Sequence, residues 1–291
     1  MPLDNTRYDY SAITQRPPFR WPNGERLAVW ICYNVEHFKV DVPGASHAES
    51  LSHLKPDVIN YAWRDYGNRV GIWRIFELME RVGLKGSVTL NGEICVHETP
   101  VVEEMTRLGW CILGHGMTNS QLLTNLPEEE ERQVIADTLD IIQRTTGKRP
   151  IGWLGPGLAE SYVTPELLVE AGVKYVCDWV CDEQPFPIKV KNGKLTSVPY
   201  ATDTNDIGMI LGAKRSDQEF YQQICDQFDV LYREGATIPR TMVVSLHTFL
   251  SGVPHRSKYL EQALAYIASH KDVWLCTADD IYNWYESEYG G

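Results

Sequence analysis

A chain of 291 residues with 43% hydrophobic and 23% charged residues has a globular composition, which excludes a disordered, collagenous or coiled-coil protein. Its 27 Lys and Arg against 39 Asp and Glu leave a net charge of −12. That balance argues against a nucleic acid or an anionic membrane as partner and favours a small neutral or cationic molecule.

Residues 1–26, with Pro2, Pro17, Pro18 and Pro22, predict an extended arm, and residues 27–291 a single domain. The apolar run at 27–33 is of the kind that a strand buried on both faces requires. Similar runs at 86–90, 110–113, 151–154, 174–177, 195–199, 242–246 and 273–276 predict further strands. Helices alternate with them. Ile72, Ile75, Phe76 and Met79 share one helical face that stops at Gly83. Pro127 followed by Glu128, Glu129 and Glu130 opens a helix running through Ile135, Leu139 and Ile142 to Gly147. Leu260, Ala263, Leu264 and Ile267 mark a third. The stretch from Asp178 and Asp182 to Gln184-Pro185-Phe186-Pro187 reads as a rim loop or subunit contact. Strand and helix alternate without a linker, which predicts one α/β domain with a mainly parallel sheet.

Seven cysteines form an odd set with no pairing framework, and read as buried free thiols of a reducing compartment. With no signal pattern at the N-terminus and no apolar run near the ~18 residues of a membrane span, a cytoplasmic location is expected.

Parallel sheets carry their chemistry at the carboxyl ends of the strands. Here the run at 27–33 is followed by Asn34 and Glu36, and that at 86–90 by Asn91 and Glu93. The run at 110–113 leads to His115 and Asn119, the segment 198–200 to Asp203 and Asp206, and the run at 242–246 to His247. Nucleophile-elbow, phosphate-loop, zincin and EF-hand motifs are missing. Carboxylates, histidines and amides on one rim are the equipment of water-activated attack on a carbonyl, followed by protonation of a nitrogen leaving group.

Asn34-Val35-Glu36, Leu90-Asn91-Gly92, the run Gly114-His115-Gly116-Met117-Thr118-Asn119-Ser120 and the late Leu246-His247 together resemble the polysaccharide deacetylase (NodB homology) family over residues 27–287. The resemblance implies an α/β fold, a distorted (β/α)7-type barrel. In that family two acidic residues after the first strand supply a base and a metal ligand, a His-x-x-x-His supplies two more ligands, and a late Leu-x-His supplies the acid. Here Asn34 stands at the base position, Glu36 at the acidic ligand and Asn119 at the second histidine. An amide is a feeble zinc ligand beside imidazole, so the ligand set is incomplete. No cofactor is expected; a divalent metal such as zinc would rest on Glu36 and His115.

Within the family, Tyr66-Gly67-Asn68-Arg69-Val70-Gly71-Ile72-Trp73-Arg74, Gly152-Trp153, Val198-Pro199-Tyr200, Thr204-Asn205-Asp206, Phe228-Asp229-Val230-Leu231-Tyr232 and Gly252-x-Pro254-x-Arg256 look like the metal-independent allantoinases and their cyclic imide hydrolase relatives. Asn34-Val35-Glu36 and the His115-to-Asn119 segment look more like the imide hydrolases. The expectation is a hydrolase that opens cyclic imides such as maleimide or succinimide to half-amides, assembled as a homo-oligomer, with a tetramer implied by the resemblance. Glu36 would activate water or attack directly. His247, with His115 as rival, would protonate the leaving nitrogen. Asn34, Asn91 or Asn119 would orient the carbonyls and Trp153 would stack on the ring, with Glu93, Asp206 and Arg69 completing the substrate site. An allantoinase or other cyclic ureide amidohydrolase, a metal-dependent carbohydrate deacetylase and a non-catalytic binding protein on the same scaffold are the alternatives.

Overall fold

The first apolar run forms β1 (Leu27–Val35), buried at every position. The computed structural model describes residues 5–290, so Pro2 and the rest of residues 1–4 of the predicted arm, and Gly291, lie outside the described residues. In parallel, β1 pairs with β8 (Arg240–His247) along its length, from Leu27↔Arg240 to Asn34↔His247. It also pairs with β2 (Ser87–Leu90) and, near its start, with β9 (Val273–Leu275). From β2 the sheet continues through β3 (Cys111–Gly114), β4 (Gly152–Trp153), β5 (Tyr175–Val176) and β7 (Leu195–Ser197) to β6 (Phe186–Ile188). The strands from β7 round to β8 are parallel and form the expected curled sheet. The ladder does not close: among the described residues, β8 meets the β7 side through the isolated bridge Asn205↔Ser245 and scattered hydrogen bonds such as that from the Thr241 N–H to the Glu183 carbonyl at 2.8 Å.

Period-two alternation sorts each strand between two layers. Ala28, Trp30 and Cys32 face inward with Leu113, Leu154, Tyr175, Cys177 and Val243. Leu27, Val29, Ile31, Tyr33 and Val35 face outward onto the helices. Those include α2 (Ile72–Val82) and α9 (Pro254–Ala268), whose predicted faces supply Ile72, Ile75, Leu260 and Leu264. The third predicted helix is α5 (Glu128–Thr146), with four glutamates in its first turn against the positive end of the dipole.

A helix α1 (Val58–Tyr66) leads through a π turn at Gly67–Gly71 into α2. A Cβ on Gly67 would lie 2.4 Å from Thr248 Oγ1, and one on Gly71 2.3 Å from the Thr248 carbonyl. Glycine at both positions lets this rod press against α8 (Thr248–Ser251), the turn that follows β8.

The stretch expected to be a rim loop contains β6, which pairs antiparallel with β7. Pro187 lacks the N–H that a central strand needs but is tolerated on this sheet edge, and the flanking prolines disguise the strand in the sequence. The arm from residue 5 to 26 holds one 3-10 turn (Ile13–Gln15) and packs on its own barrel. Arg7 forks onto Glu166 at 2.7 and 2.9 Å, Arg16 onto Asp182 at 2.8 and 2.5 Å, and the Trp21 indole donates to the Arg240 carbonyl at 2.9 Å. The seven cysteines are all unpaired, six of them buried and Cys181 exposed. Among the described residues, no helix is long and apolar enough to cross a membrane.

Candidate active site

The inward alternation of β1 continues past its end, so Asn34 and then Glu36 project into the barrel mouth. Because Asn34 is in register with His247 and Thr89, and β3 lies beside β2, the next inward positions bring Glu36, Asn91, His115 and His247 onto one rim. Glu36 stands at the centre. Its Oε1 accepts from Asn119 Nδ2 at 2.5 Å and lies 3.5 Å from His115 Nε2 and 3.6 Å from His247 Nε2. Its Oε2 is buried with no partner in the protein.

Asn119 reaches Glu36 because the chain after β3 turns at Gly116, whose φ of 66° is a left-handed conformation that favours glycine. A fixed sequence of donors then sets the amides. The His37 main-chain N–H donates to Asn91 Oδ1 at 2.8 Å, Asn91 Nδ2 to Asn119 Oδ1 at 3.2 Å, and Asn119 Nδ2 to the carboxylate. The run begins at a backbone donor and ends at an acceptor, so neither amide can flip without breaking it.

His247 is held from behind. Asp206 is fully buried, and its Oδ1 is 2.7 Å from His247 Nδ1 while its Oδ2 accepts from the His247 main-chain N–H at 2.8 Å and from Ser251 Oγ at 2.6 Å. Nδ1–H therefore points to Asp206 and Nε2 to Glu36. His115 Nδ1 contacts only the Leu154 carbonyl, at 2.5 Å, so this ring has no carboxylate behind it.

The electrostatics separate base from acid. Burial pushes the Glu36 carboxyl up, but His247, His115 and the Asn119 amide outweigh it and hold the pKa below its ordinary value. Burial pulls His247 down, but Glu36 and Asp206 outweigh it and raise the imidazole above its ordinary value. Two neighbours driven in opposite directions, one kept ionised as a base and one kept protonated as an acid, can carry out proton transfer at neutral pH.

Several predicted site residues lie elsewhere or are already engaged. Trp153 packs in the outer layer with Leu139, Leu168 and Val176, because Leu154 takes the inward position, and it does not reach the cluster. Arg69 is on the outside of the π turn, 3.6 Å from Asp65, with its side chain 75% exposed. Glu93 meets His97 at 3.1 Å on α3 (Gly92–His97) and does not touch Glu36. Asp206 is a support for His247 instead of a substrate contact. Asn34 lies one layer below: its Nδ2 donates to Tyr200 Oη at 3.3 Å and to the Leu246 carbonyl at 3.2 Å, and its Oδ1 accepts from Thr89 at 2.7 Å. Asn91 donates to the His115 and Gly116 carbonyls as well as to Asn119, so it too has no donor left for a ligand.

Unforeseen residues complete the site. A cavity of ≈ 20 Å³ beside Glu36 is lined by Phe38, Tyr61, Arg64, Asp65, Asn68 and Glu98. That is room for a water molecule at its floor. Asn68 donates to the Glu36 carbonyl at 2.9 Å, and burial with Asp65 nearby lifts Glu98 to about 7. The signal was present: Asn60, Arg64 and Asn68 recur every four residues on a helix whose buried face is thus polar.

The zinc that the resemblance brings with it does not fit these residues. Asn119 turns its nitrogen, which has no lone pair to give, toward Glu36 and its oxygen toward Asn91, so it does not present a ligand atom to the carboxylate's site. Among the described residues no group of three or more His, Cys, Asp or Glu side chains could hold a metal ion.

Comparison with known proteins places this architecture. Residues 61–176 match the polysaccharide deacetylase family profile. A Schizosaccharomyces pombe protein carrying a polysaccharide deacetylase name is 28% identical over 235 residues, covering 75% of this chain and 73% of the relative. The crystal structure described as a probable polysaccharide deacetylase from Pseudomonas aeruginosa PAO1 superposes with a TM-score of 0.87 at 27% identity, covering 98% of this chain and 100% of that one. That of Puue allantoinase superposes with a TM-score of 0.86 at 26% identity, covering 99% and 100%. The curled parallel sheet with the rim residues at its strand ends is thus the fold of the polysaccharide deacetylase (NodB homology) structures, and residues 61–176 carry that family's profile.

Proposed function

We propose that the chain hydrolyses a C–N bond of a small cyclic imide, using water and no catalytic metal. The observation that carries this reading is the Glu36 carboxylate held between His115 and His247, with base and acid driven apart in pKa. Glu36 takes a proton from water as the water oxygen bonds to the carbonyl carbon, and the carbonyl π pair moves onto oxygen. When that pair returns, the C–N bond breaks and His247 Nε2 gives its proton to the nitrogen. Glu36 then passes its proton to His247 across 3.6 Å, which resets both groups and leaves a half-amide acid. An imide nitrogen leaves more readily than a simple amide because the second carbonyl delocalises its charge, so less electrophilic help is needed.

The ring walls in this proposal are Phe38 and Tyr61, which line the cavity beside Glu36 and must part to admit a ring where there is now room for one water. A second reading, a cyclic ureide amidohydrolase of the allantoinase kind, is favoured by the likeness to Puue allantoinase over 99% of the chain. The unpaired thiols support a cytoplasmic setting, and assembly as a homotetramer belongs to the same proposal, with light scattering as its measurement.

A panel of maleimide, succinimide, dihydrouracil, hydantoin and allantoin, assayed with and without chelator, tests the reading. Fastest turnover of an imide, unchanged by chelator, is expected. Preference for allantoin would move the assignment to the second reading, and loss of activity on chelation would end the metal-free one.

The pH profile follows from the two shifts. The base works only when ionised, so kcat/KM should rise through an acidic limb below the ordinary carboxyl value of 4.5. The acid works only when protonated, so it should fall through a basic limb above the ordinary imidazole value of 6.5. The same profile in Glu98→Gln separates the contribution of Glu98, which faces the same cavity. Limbs at the ordinary values or in reversed order would contradict the assignment.

A further inference from the structure

We propose that Arg64 stabilises the oxyanion that forms when water adds to the substrate carbonyl; this rests on the hydrolytic reading of the site. Two arginines of the chain are less than a tenth exposed, Arg64 at 4% and Arg240 at 8%. Arg240 is neutralised by Glu183 at 3.1 Å and Glu234 at 3.4 Å. Arg64 has no carboxylate within ion-pair distance among the described residues. Its one hydrogen bond runs from Nη1 to the Ala45 carbonyl at 2.8 Å, its guanidinium lies 4.7 Å from the centre of the Phe38 ring, and its Nε is buried without a partner.

A guanidinium carries five N–H donors. Burying its Nε–H without a partner is costly, and proteins avoid such a donor unless a ligand engages it. Asp57 and Glu36 act on this cation through space, but Asp57 is occupied by Asn60 and Glu36 by Asn119 and the two histidines. Arg64 opens onto the same cavity as Glu36. A carbonyl attacked by water activated at Glu36 therefore develops its negative charge near a cation that has no ion-pair contact and a buried, unpartnered Nε–H.

The chemistry requires such a group. Of the amides that the sequence offers as carbonyl donors, Asn34 and Asn91 spend their hydrogens on protein acceptors, and Asn119, which donates to Glu36, carries no charge with which to meet an oxyanion. His247 is committed as the acid. In the step proposed above, the π pair that moves onto oxygen meets the Arg64 N–H groups, which keep their protons throughout. Nothing is transferred from Arg64, and the charge disappears when the C–N bond breaks. The competing role is structural, in which Arg64 only pins the segment from Phe38 to Ala45.

Arg64→Ala and Arg64→Lys, assayed on the best ring of the panel, separate the two. Loss of an oxyanion donor is expected to lower kcat by about 10²–10³-fold with KM changed little, and added guanidinium ion should restore Arg64→Ala saturably. Succinamate binding by calorimetry supplies a readout without turnover, because its carboxylate resembles the charge that Arg64 would meet; Arg64→Ala should weaken it about 10–100-fold. Kcat within threefold of the parent, or succinamate affinity unchanged in both variants, overturns the proposal. A parent that turns over no ring yet binds succinamate through Arg64 rejects the hydrolytic reading while keeping the anion site. If Arg64→Ala does not fold, Arg64→Lys carries the same comparison.

Discussion

Glu36→Gln is expected to lower kcat by about 10²–10⁴-fold on whichever ring the parent prefers, with the fold retained. Gln keeps the size of Glu36 and still offers an oxygen to Asn119, but it cannot accept a proton from water. Both roles that the sequence leaves open, base and nucleophile, need that carboxylate. The substitution also removes one of the two anions that raise His247, so the basic limb of any residual activity should move to lower pH. Turnover within a few-fold of the parent, with unchanged circular dichroism, would remove Glu36 from the reaction.

Asp206→Asn should be nearly as damaging although Asp206 touches no substrate. Asp206 accepts from three donors, and an amide in its place presents N–H to one of them. The imidazole then loses both the anion that favours its protonated form and the contact that selects its tautomer. By analogy with histidines oriented by a carboxylate elsewhere, kcat should fall by about 10²–10⁴-fold. A positioning role is distinguished from plain destabilisation by pH. In the parent, His247 has a raised folded pKa, so its stabilising contribution is complete below the unfolded value near 6.5 and is lost as pH rises through the folded value. The variant should show a flatter decline of thermal midpoint over that range and a basic limb shifted to lower pH. An unshifted basic limb would show that Asp206 does not tune His247.

The sequence is most legible where period-two alternation runs long. In β1 and β8 the inward positions can be followed strand by strand to Glu36 and His247, and the habit of parallel sheets to expose their carboxyl ends selects the rim. Trp153 escapes this logic because β4 has two residues, too few to show which way it alternates. Asn34 and Asn91 look free in the sequence because their partners, Tyr200 and the His115 carbonyl, come from distant segments. Arg64 escapes for another reason: it lies on a helix, outside any search restricted to strand ends. The edge strand β6 is hidden by the prolines that suit it to an edge.

The pairing of β1 with β8 has a kinetic consequence. Asn34 donates to the Leu246 carbonyl across 212 residues of chain, and the next inward positions are Glu36 and His247. Contacts of such sequence separation pay a large loop-closure entropy and tend to form late. Base and acid therefore cannot meet in any intermediate that lacks the final strand addition, so a nascent or partly refolded chain holds an idle carboxylate in place of a loose, indiscriminate hydrolase. In refolding, recovery of turnover should lag recovery of helical signal; simultaneous recovery would mean that β8 docks early.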